Sequence, residues 1–412
     1  MTDQPPTTGD TAAAVADPVL LTEPREGVPD TIDTAPALAR AVEAVAAGSG
    51  PVAIDAERAS GYRYSARAYL IQLRREGAGT ILIDPLPFAD LRTLGAALDG
   101  VEWILHAASQ DLPCLAELAL RPTTLFDTEL GARLAGFERV GLAAITERLL
   151  GYTLEKHHSA ADWSTRPLPD SWLTYAALDV ELLIDLKDAL AAELDAQGKS
   201  DWAAQEFAAL TTADFTIVRN DPWRRTSGIH KVRGARALAR VRSMWQARDE
   251  LASRRDLAPS KVIVDAAIVA AAQADPKTER DLTGIPGFRG RFGRSHARLW
   301  LRALAKAREL PDAELPRTSP AHDGPPPAHR WSERDPVAAA RLARARAAVT
   351  EVAEAHNLPT ENLISPAVVR ALCWTPPAEL DGASMRTALA EHGAREWQMT
   401  LLADRLAEAM SG

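Results

Sequence analysis

The sequence predicts an α/β domain with a mixed sheet, followed by two all-α modules. Three observations lead to this prediction. Strand-like and helical patterns alternate from about residue 29 to residue 210, which is typical of an α/β layer fold. From about 228 to 310, and again from about 336 to 410, apolar residues recur at helical spacing. A proline-rich stretch, SPAHDGPPPAHRWSERDP, separates these two helical regions.

The elements of the α/β region follow from their local patterns. The runs PVAIDAE, AYLIQLRR and GTILIDP predict three strands between residues 51 and 85. DLRTLGAALDG has the apolar spacing of an amphipathic helix, and VEWILHA predicts a further strand over residues 101–107. Beyond Pro113 the pattern becomes mostly helical.

These patterns divide the chain into five segments. Residues 1–22 are rich in Thr, Asp, Ala and Pro without periodicity and predict a disordered tail. The α/β domain covers residues 23–215, the first helical module 228–312, a proline-rich linker 313–335 and the second helical module 336–412. Apolar positions in the two modules match at an offset of 101 residues, which suggests a duplication. The matched positions are Leu257, Val262, Ile263, Ala266 and Ile268 in the first module, and Leu358, Leu363, Ile364, Ala367 and Val369 in the second.

The bulk composition favours a cytoplasmic monomer. The first residues carry acids and prolines where a secretory signal needs a basic start and an apolar run. Charge or proline interrupts every apolar run well before the roughly 20 residues that a membrane helix needs. The two cysteines, Cys114 and Cys373, lie far apart without metal-ligand spacing, so we expect buried thiols and neither a disulfide framework nor a zinc site.

The net charge of −9 conceals a basic segment. Between Asp221 and Leu310 there are 20 Lys and Arg residues against 9 Asp and Glu residues. The remainder of the chain has 27 basic and 47 acidic residues. Such an asymmetry suggests a local surface that binds phosphates in an otherwise acidic protein.

Four carboxylates and a tyrosine recur in a suggestive order. Asp55 and Glu57 are one residue apart at the end of a predicted strand, so their side chains point to the same side of the sheet. Asp111 follows the later predicted strand VEWILHA, where a helix is predicted to begin. Tyr175 and Asp179 are spaced i, i+4 on a later helix and share one face. Each feature alone is common in structural roles, and the hypothesis of a site rests on their combination.

Convergence of four carboxylates requires cations. Without them the carboxylates would repel one another, and Mg²⁺ and Mn²⁺ both prefer oxygen ligands. The pattern therefore predicts a site for two divalent metal ions of the kind that catalyses phosphodiester hydrolysis.

These residues resemble the DEDD exonuclease superfamily in its tyrosine-bearing branch, and within it the ribonuclease D family. The first motif is matched by Asp55 and Glu57, the second by Asp111 in HAASQDLPCL, and the third by Tyr175 and Asp179 in YAALDV. The stretch GYTLEKHHSAADWSTRPLP is similar to the family's lysine followed by S-D-W-x-x-R-P-L. It departs from the family at His157, His158, Ser159 and Ala160, where substrate contacts are expected to differ.

The resemblance implies a ribonuclease H-like, DnaQ-type exonuclease domain followed by two HRDC-like helical bundles. It implies that Asp55, Glu57, Asp111 and Asp179 hold two ions and that Tyr175 orients the attacking water. The first helical module resembles the HRDC domain over the run that begins WQARDELASRRDLAPSKVIV. HRDC domains are linked to nucleic-acid binding.

Several basic residues are candidate substrate contacts. Lys156 is either a phosphate contact or an exposed lysine, and the arginines of the first helical module either bind phosphates or form a solvated face. Trp223 and Phe288 could stack on bases, although packing is the simpler interpretation. The candidate substrate-binding residues are Lys156, Arg166, Arg233, Arg236, Arg240, Arg289, Arg291 and Arg294.

Other residues near the motifs are interpreted as structural. His106 and Gln110 flank Asp111 and are expected in the core or behind the ligands, and Asp127 is expected in a supporting position. Gly198-Lys199-Ser200 resembles the end of a phosphate-binding loop, but Glu193 stands where that loop needs glycine, so ATP binding is not expected.

The resemblance to the ribonuclease D family implies 3'-5' exonucleolytic hydrolysis, with RNA as the leading substrate. The enzyme would bind RNA by its 3' end, release nucleoside 5'-monophosphates and process the 3' ends of tRNA or other structured RNA. One alternative is the same chemistry on DNA, in repair or proofreading. The other is a catalytically silent scaffold that binds nucleic acid, against which the intact carboxylates argue.

Overall fold

A computed structural model describes residues 17–154, 160–215, 220–319 and 324–412. The α/β domain contains eight strands, which are β1 (Val19–Leu21), β2 (Thr31–Ile32), β3 (Ser49–Arg58), β4 (Ala68–Glu76), β5 (Gly79–Ile83), β6 (Glu102–Leu105), β7 (Thr124–Asp127) and β8 (Tyr152–Leu154). Its helices are α1 (Ala35–Ala47), α2 (Arg92–Ala97), α3 (Leu112–Glu117), α4 (Thr128–Leu134), α5 (Leu142–Leu150), α6 (Asp170–Glu181), α7 (Leu183–Ala196) and α8 (Ser200–Thr212).

Six strands form the predicted mixed sheet in the order β2-β5-β4-β3-β6-β7. Strands β3, β4 and β5 pair antiparallel, whereas β6 runs parallel to β3 and β7 parallel to β6. Both faces of the central strands are buried, which explains why β3 and β4 are continuous apolar runs instead of alternating ones. The predicted α/β fold with a mixed sheet is therefore confirmed.

The predicted tail ends earlier than expected. Residues 1–16 lie outside the described residues, but Val19–Leu21, within the tail predicted to extend to residue 22, form strand β1. This strand pairs parallel with β8, from Val19 opposite Tyr152 to Leu21 opposite Leu154. The prediction failed there because the partner strand lies more than a hundred residues away, and a local pattern cannot show such a pairing.

The first helical module consists of α9 (Ala235–Arg255), α10 (Pro259–Val262), α11 (Asp265–Ala274), α12 (Glu279–Gly284), α13 (Arg291–Ser295) and α14 (Ala297–Glu309). Its apolar residues form a core of their own. The second helical module contains α16 (Pro336–Ala355), α17 (Thr360–Leu363), α18 (Pro366–Trp374), α19 (Gly382–Glu391) and α20 (Glu396–Ser411), and α15 (Trp331–Arg334) precedes it.

The structure reproduces the 101-residue repeat in its backbone. Helices α9, α10 and α11 begin 101 residues before α16, α17 and α18 respectively. Asp256 and Asn357, which are also 101 residues apart, both adopt left-handed conformations with φ of 45° and 49°. The first three helices of each module therefore share one plan, including the turn after the long helix.

The predicted linker, residues 313–335, contains structure at its end. Trp331 is fully buried, and its indole nitrogen donates a hydrogen bond to the carbonyl of Pro326 at 2.7 Å. Its ring packs on that of Trp374, with 4.8 Å between the ring centroids. The linker prediction is wrong for α15 because a single buried aromatic, without a periodic pattern, anchors this segment.

The second helical module packs against the α/β domain and shares one continuous hydrophobic core with it. Trp202 of α8 stacks on Trp397 of α20, with 4.9 Å between ring centroids. The Trp397 indole nitrogen donates to Glu206 at 3.0 Å, and Arg395 forms an ion pair with the same carboxylate at 3.6 Å. These contacts fix the module on the side of α8.

Lys199 fastens the same interface from inside. This lysine is buried, and its ammonium group donates to the carbonyl of Leu134 at 2.7 Å and to that of Asn357 at 3.4 Å. The first carbonyl ends α4 and the second follows α16, so one cation sits at two helix C-termini from different parts of the chain. This arrangement agrees with the prediction that the Gly198-Lys199-Ser200 segment does not bind a nucleotide.

We expect Lys199→Met to lower the free energy of unfolding by about 1–3 kcal/mol, because two buried carbonyls lose their donor. Lys187→Met on the neighbouring helix α7 is the control, since Lys187 contacts only the carboxylates of Glu102 and Asp188 among the described ion pairs. Urea denaturation measures both variants. Equal midpoints for Lys199→Met and the wild type would show that the ammonium does not hold the interface.

The first helical module contacts the α/β domain through the turn that follows α9. The Asp256 carboxylate accepts hydrogen bonds from the backbone N–H of Ser65 at 2.9 Å and from the Tyr69 hydroxyl at 3.3 Å. The Ala258 N–H donates to the carbonyl of Tyr62 at 3.0 Å, and the Lys261 ammonium lies 5.0 Å from the Tyr62 ring centroid. The module thereby contacts the loop that joins β3 to β4.

Among the helices that the structure describes, none combines the length and apolar character needed to cross a membrane.

Candidate active site

Strand β3 and helix α6 bring three carboxylates together. Asp55 and Glu57 lie opposite Gln72 and Leu70 of β4, one residue apart, so both side chains leave the same face of the sheet. Asp179 approaches from α6, and single carboxylate oxygens of Asp55, Glu57 and Asp179 all lie within 4.8 Å of one another. Tyr175, one turn earlier on α6, donates its hydroxyl to the Asp179 carboxylate.

Asp111 joins this group from the turn between β6 and α3. Its carboxyl shares a hydrogen bond with Asp55, and the Arg58 guanidinium lies 3.3 Å from one of its oxygens. Arg58 is the last residue of β3, so the same strand that supplies two acids also supplies the nearest cation. The five residues predicted from the sequence therefore meet at one cleft of about 320 Å³.

Asp127 holds the turn that presents Asp111. Ala107 at the end of β6 adopts a left-handed conformation with φ of 61°. The Asp127 carboxylate accepts hydrogen bonds from the N–H groups of Ala107 and Ala108 at 3.0 and 2.8 Å. It also accepts from the first turn of α4, where the N–H groups of Glu129 and Leu130 lie at 2.9 and 3.1 Å. These bonds confirm the predicted supporting role of Asp127.

Burial and mutual repulsion shift the titration of the whole cluster. Desolvation, together with the charges of Asp55, Asp179 and Asp111, raises the pKa of Glu57 to about 10. Burial also raises the pKa values of Asp55, Asp111 and Asp179 above the ordinary range of a carboxyl group. The pKa of the Tyr175 hydroxyl rises as well, first through burial and then through the nearby Asp179 charge.

The donor set fits hard divalent cations. All of its charged ligand atoms are carboxylate oxygens, and neither cysteine nor a histidine belongs to the three-residue cluster. Crowding disfavours the ionised form of the four acids, and a cation that lies between them makes the ionised form favourable. The residues present thus suit a divalent metal ion, and Asp55, Glu57, Asp111 and Asp179 are the groups that could hold it.

Two residues of the site were not identified from the sequence. Gln72 on β4 is fully buried, and its amide nitrogen donates to Asp55 at 3.2 Å. Arg58 pairs with Asp111 as described. Alternation along β3 would place Arg58 on the face opposite Asp55 and Glu57, but a register shift between Glu57 and Arg58 interrupts that alternation, and the position of Gln72 likewise depends on the β3–β4 register.

Arg166, predicted to bind substrate, is committed to the fold. Its guanidinium donates to both oxygens of Asp84 at 2.6 and 2.8 Å and to the carbonyl of Tyr69 at 2.7 Å. It also donates to the carbonyls of Trp163 and Thr165 at 2.8 and 2.7 Å. A guanidinium has five N–H donors, so these bonds use its whole capacity. Arg166 instead holds the segment that contains Asp162 and Trp163. Trp163 is buried, and its ring centroid lies 6.3 Å from that of Tyr175.

The predicted contacts of the first helical module divide into two groups. Arg236 donates to three carbonyls at the end of α14, and Arg240 donates to the carbonyl of Ala272 in α11, so both hold helix ends together. Trp223 and Phe288 are buried, in agreement with packing instead of base stacking. The remaining arginines are exposed; they are Arg233, Arg289, Arg291 and Arg294. Lys156, together with His157, His158 and Ser159, lies outside the described residues.

Comparison with protein families identifies each part of the chain. Residues 29–195 match the 3'-5' exonuclease family, residues 237–304 the HRDC domain, and residues 324–410 the 3' to 5' exonuclease C-terminal domain. The first match contains all five residues of the predicted site.

Relatives that align over about 70% of the chain support the same family. The chain is 32% identical over 296 residues to ribonuclease D of Acidiphilium cryptum, covering 70% of this chain and 74% of the relative. It is also 32% identical to ribonuclease D of Escherichia coli over 293 residues, covering 69% and 76%.

Solved structures show the same architecture. A protein from Bifidobacterium adolescentis is 40% identical, with a TM-score of 0.88 over 96% of this chain and 100% of that one. Escherichia coli RNase D, described as an exoribonuclease involved in structured RNA processing, is 26% identical with a TM-score of 0.67 over 93% and 98%. The sequence identity and the coverage of full-length relatives show that the chain belongs to the ribonuclease D family and is a 3'-5' exoribonuclease.

Proposed function

We propose that this enzyme shortens structured RNA, such as tRNA precursors, from the 3' end by two-metal-ion catalysis and releases nucleoside 5'-monophosphates. The observation that carries the proposal is the meeting of Asp55, Glu57 and Asp179, within 4.8 Å, with Asp111 and Tyr175 at one cleft. The family relationship supports RNA as the substrate, since relatives named ribonuclease D align over about two thirds of the chain or more.

Asp55, Glu57, Asp111 and Asp179 would hold two Mg²⁺ or Mn²⁺ ions. When bound, such ions activate the attacking water and stabilise the leaving 3'-oxygen. The tyrosine has a different task. Because burial and the Asp179 charge raise the pKa of the Tyr175 hydroxyl, it remains protonated at neutral pH and orients the attacking water by hydrogen bonding.

The exposed arginines of the first helical module would hold the RNA strand by its phosphates. Arg233, Arg289, Arg291 and Arg294 carry charge that the fold does not bury. Contacts of this kind are independent of sequence and weaken with salt. Binding through this module would keep a structured RNA attached while its 3' end enters the cleft.

Digestion of 5'-labelled RNA and DNA oligonucleotides of one sequence tests the proposal. With Mg²⁺ or Mn²⁺ we expect an RNA ladder that shrinks from the 3' end, at least about tenfold faster than the DNA ladder, and no products in EDTA. Tyr175→Phe should lower kcat by about 10²-fold with little change in RNA affinity, because the hydroxyl that orients the water, and that donates to Asp179, is lost.

Tyr152→Phe is the matched control, since Tyr152 lies in β8 and its ring faces Arg25. Two outcomes would contradict the proposal. Absence of any 3' shortening of RNA would reject the substrate, and equal kcat for Tyr175→Phe and the control would reject the assigned role of the tyrosine.

A further inference from the structure

His106 lines the active-site cleft beside the carboxylates, although the sequence suggested only a core or supporting position. It stands at the end of β6, and its side chain is partly exposed. The same cleft is lined by Asp55, Glu57, Asp111, Tyr175 and Asp179. The mechanism proposed above gives this imidazole no task.

The hydrogen bonds behind His106 determine which ring nitrogen carries a proton. The Nδ1 atom lies 2.9 Å from the hydroxyl of Thr128, a fully buried residue. That hydroxyl donates its single proton to the carbonyl of Leu105 at 3.2 Å, so towards His106 it can only accept. This network favours the tautomer that carries its proton on Nδ1.

The opposite edge of the ring then offers a lone pair to the cleft. Nδ1 bonds Thr128, so Nε2 is the ring nitrogen of this cleft-lining residue that is left to meet a substrate. The pKa of His106 is lowered to about 4, chiefly by burial, with the Glu129 charge acting in the opposite direction and the smaller effect of Arg133 acting with burial. In the neutral ring Nε2 is an acceptor.

An RNA substrate would supply a hydrogen-bond donor to the active-site cleft. The cleft measures about 320 Å³, which suits a small group such as a single nucleotide. A phosphate held at the carboxylates is bonded directly to the riboses on both of its sides. Ribose hydroxyls are the hydrogen-bond donors of the sugar-phosphate backbone. The carboxylates of the cleft could accept from these hydroxyls, but the metal ions would occupy the carboxylate oxygens.

We propose that Nε2 of His106 accepts a hydrogen bond from a ribose hydroxyl next to the scissile phosphate and so favours RNA over DNA. The inference rests on the proposed function, because it identifies how that site recognises its substrate. Discrimination by a 2'-hydroxyl is the general means by which a protein distinguishes RNA from DNA. His106 would be a specificity-determining residue, fixed in its tautomer by Thr128.

Oligonucleotides with one altered sugar test the contact. Three RNAs would carry 2'-fluoro at the terminal nucleotide, 2'-fluoro at the penultimate nucleotide, or 3'-deoxy at the terminal nucleotide. Fluorine removes the donor while keeping the ribose similar in shape. For the wild type, one substitution should lower kcat/KM by about tenfold relative to unmodified RNA, and the position identifies the hydroxyl.

In His106→Ala the ratio of kcat/KM for unmodified RNA to kcat/KM for the modified RNA should fall to about one. Thr128→Val should also reduce the ratio, because Nδ1 loses its acceptor and the other tautomer becomes accessible. If the ratio for each of the three RNAs were the same in wild type and His106→Ala, the proposal would be overturned.

The tautomer itself can be observed in the full-length protein. Ring ¹⁵N chemical shifts distinguish a protonated from a bare nitrogen, and the His106 signals are identified by their absence in His106→Gln. We expect the Nδ1–H form in the wild type at neutral pH. A wild-type spectrum with the proton on Nε2 would reject the inference, whereas failure of the wild type to shorten any RNA would reject the proposed function itself.

Discussion

Asp179→Asn is expected to lower kcat/KM for RNA by about 10³-fold or more and, in EDTA, to raise the melting temperature. The loss of activity follows because metal ions contribute several kcal/mol of transition-state stabilisation, and each 1.4 kcal/mol is about tenfold in rate. The gain in stability follows because the folded protein crowds Asp55, Glu57 and Asp179 within 4.8 Å. Removing one charge relieves repulsion that no cation offsets in EDTA.

The control is Asp188→Asn on the adjacent helix α7, where the carboxylate is exposed and contacts only Lys187 among the described ion pairs. Thermal unfolding with EDTA and with Mg²⁺ separates the two effects. The wild type should gain several degrees from Mg²⁺, and Asp179→Asn much less. A variant that melts lower than wild type in EDTA, or that keeps its full response to Mg²⁺, would refute the proposed metal cluster.

The same substitution should change the dependence of stability on pH. The folded pKa of Glu57 is raised from 4.5 to about 10, so its contribution to stability is complete below pH 4.5 and is lost as pH rises towards 10. In EDTA the melting temperature of the wild type should therefore fall across this range relative to Asp179→Asn. Divalent ions should offset the fall, because they bind the deprotonated carboxylates.

The catalytic cluster could be predicted because its geometry is local. The period of a strand places Asp55 and Glu57 on one side, and the period of a helix places Tyr175 and Asp179 on one face. The order of these segments along the chain then matched a known family. The structure adds that these pieces meet, which the spacing alone could not show.

The predictions that failed depend on distant partners. Arg166 looked like a phosphate ligand, but its acceptors in Asp84 lie 82 residues earlier in the chain. The indole of Trp397 donates to Glu206 at a separation of 191 residues, and no local pattern could indicate that the second helical module shares a core with the α/β domain. His106 is similar, because its tautomer depends on Thr128, which is 22 residues away.

Asp127 is a further residue whose role depends on distant partners, because it accepts hydrogen bonds from the turn before Asp111. Its two carboxylate oxygens accept four backbone N–H groups, two from the turn before Asp111 and two from the start of α4. An asparagine has one acceptor oxygen and places an NH₂ donor where the other oxygen was. One oxygen of Asp127 accepts the N–H groups of Ala107, Glu129 and Leu130, and the other accepts that of Ala108, so in Asp127→Asn at least one buried N–H group of this bridge faces an NH₂ donor.

We expect Asp127→Asn to lower the free energy of unfolding by about 2–4 kcal/mol, since buried N–H groups lose a charged acceptor. It should also lower kcat/KM by about 10²-fold, because the left-handed Ala107 and the following turn would no longer hold Asp111 in place. Asp335→Asn is the control: Asp335 caps α16 by accepting one N–H, from Ala338 at 2.9 Å, and asparagine caps helices as well as aspartate. Urea denaturation and RNA digestion measure both variants. If Asp127→Asn lost stability but kept wild-type kcat/KM, the bridge would stabilise α4 without positioning Asp111, and the link from the buried carboxylate to the metal site would be wrong.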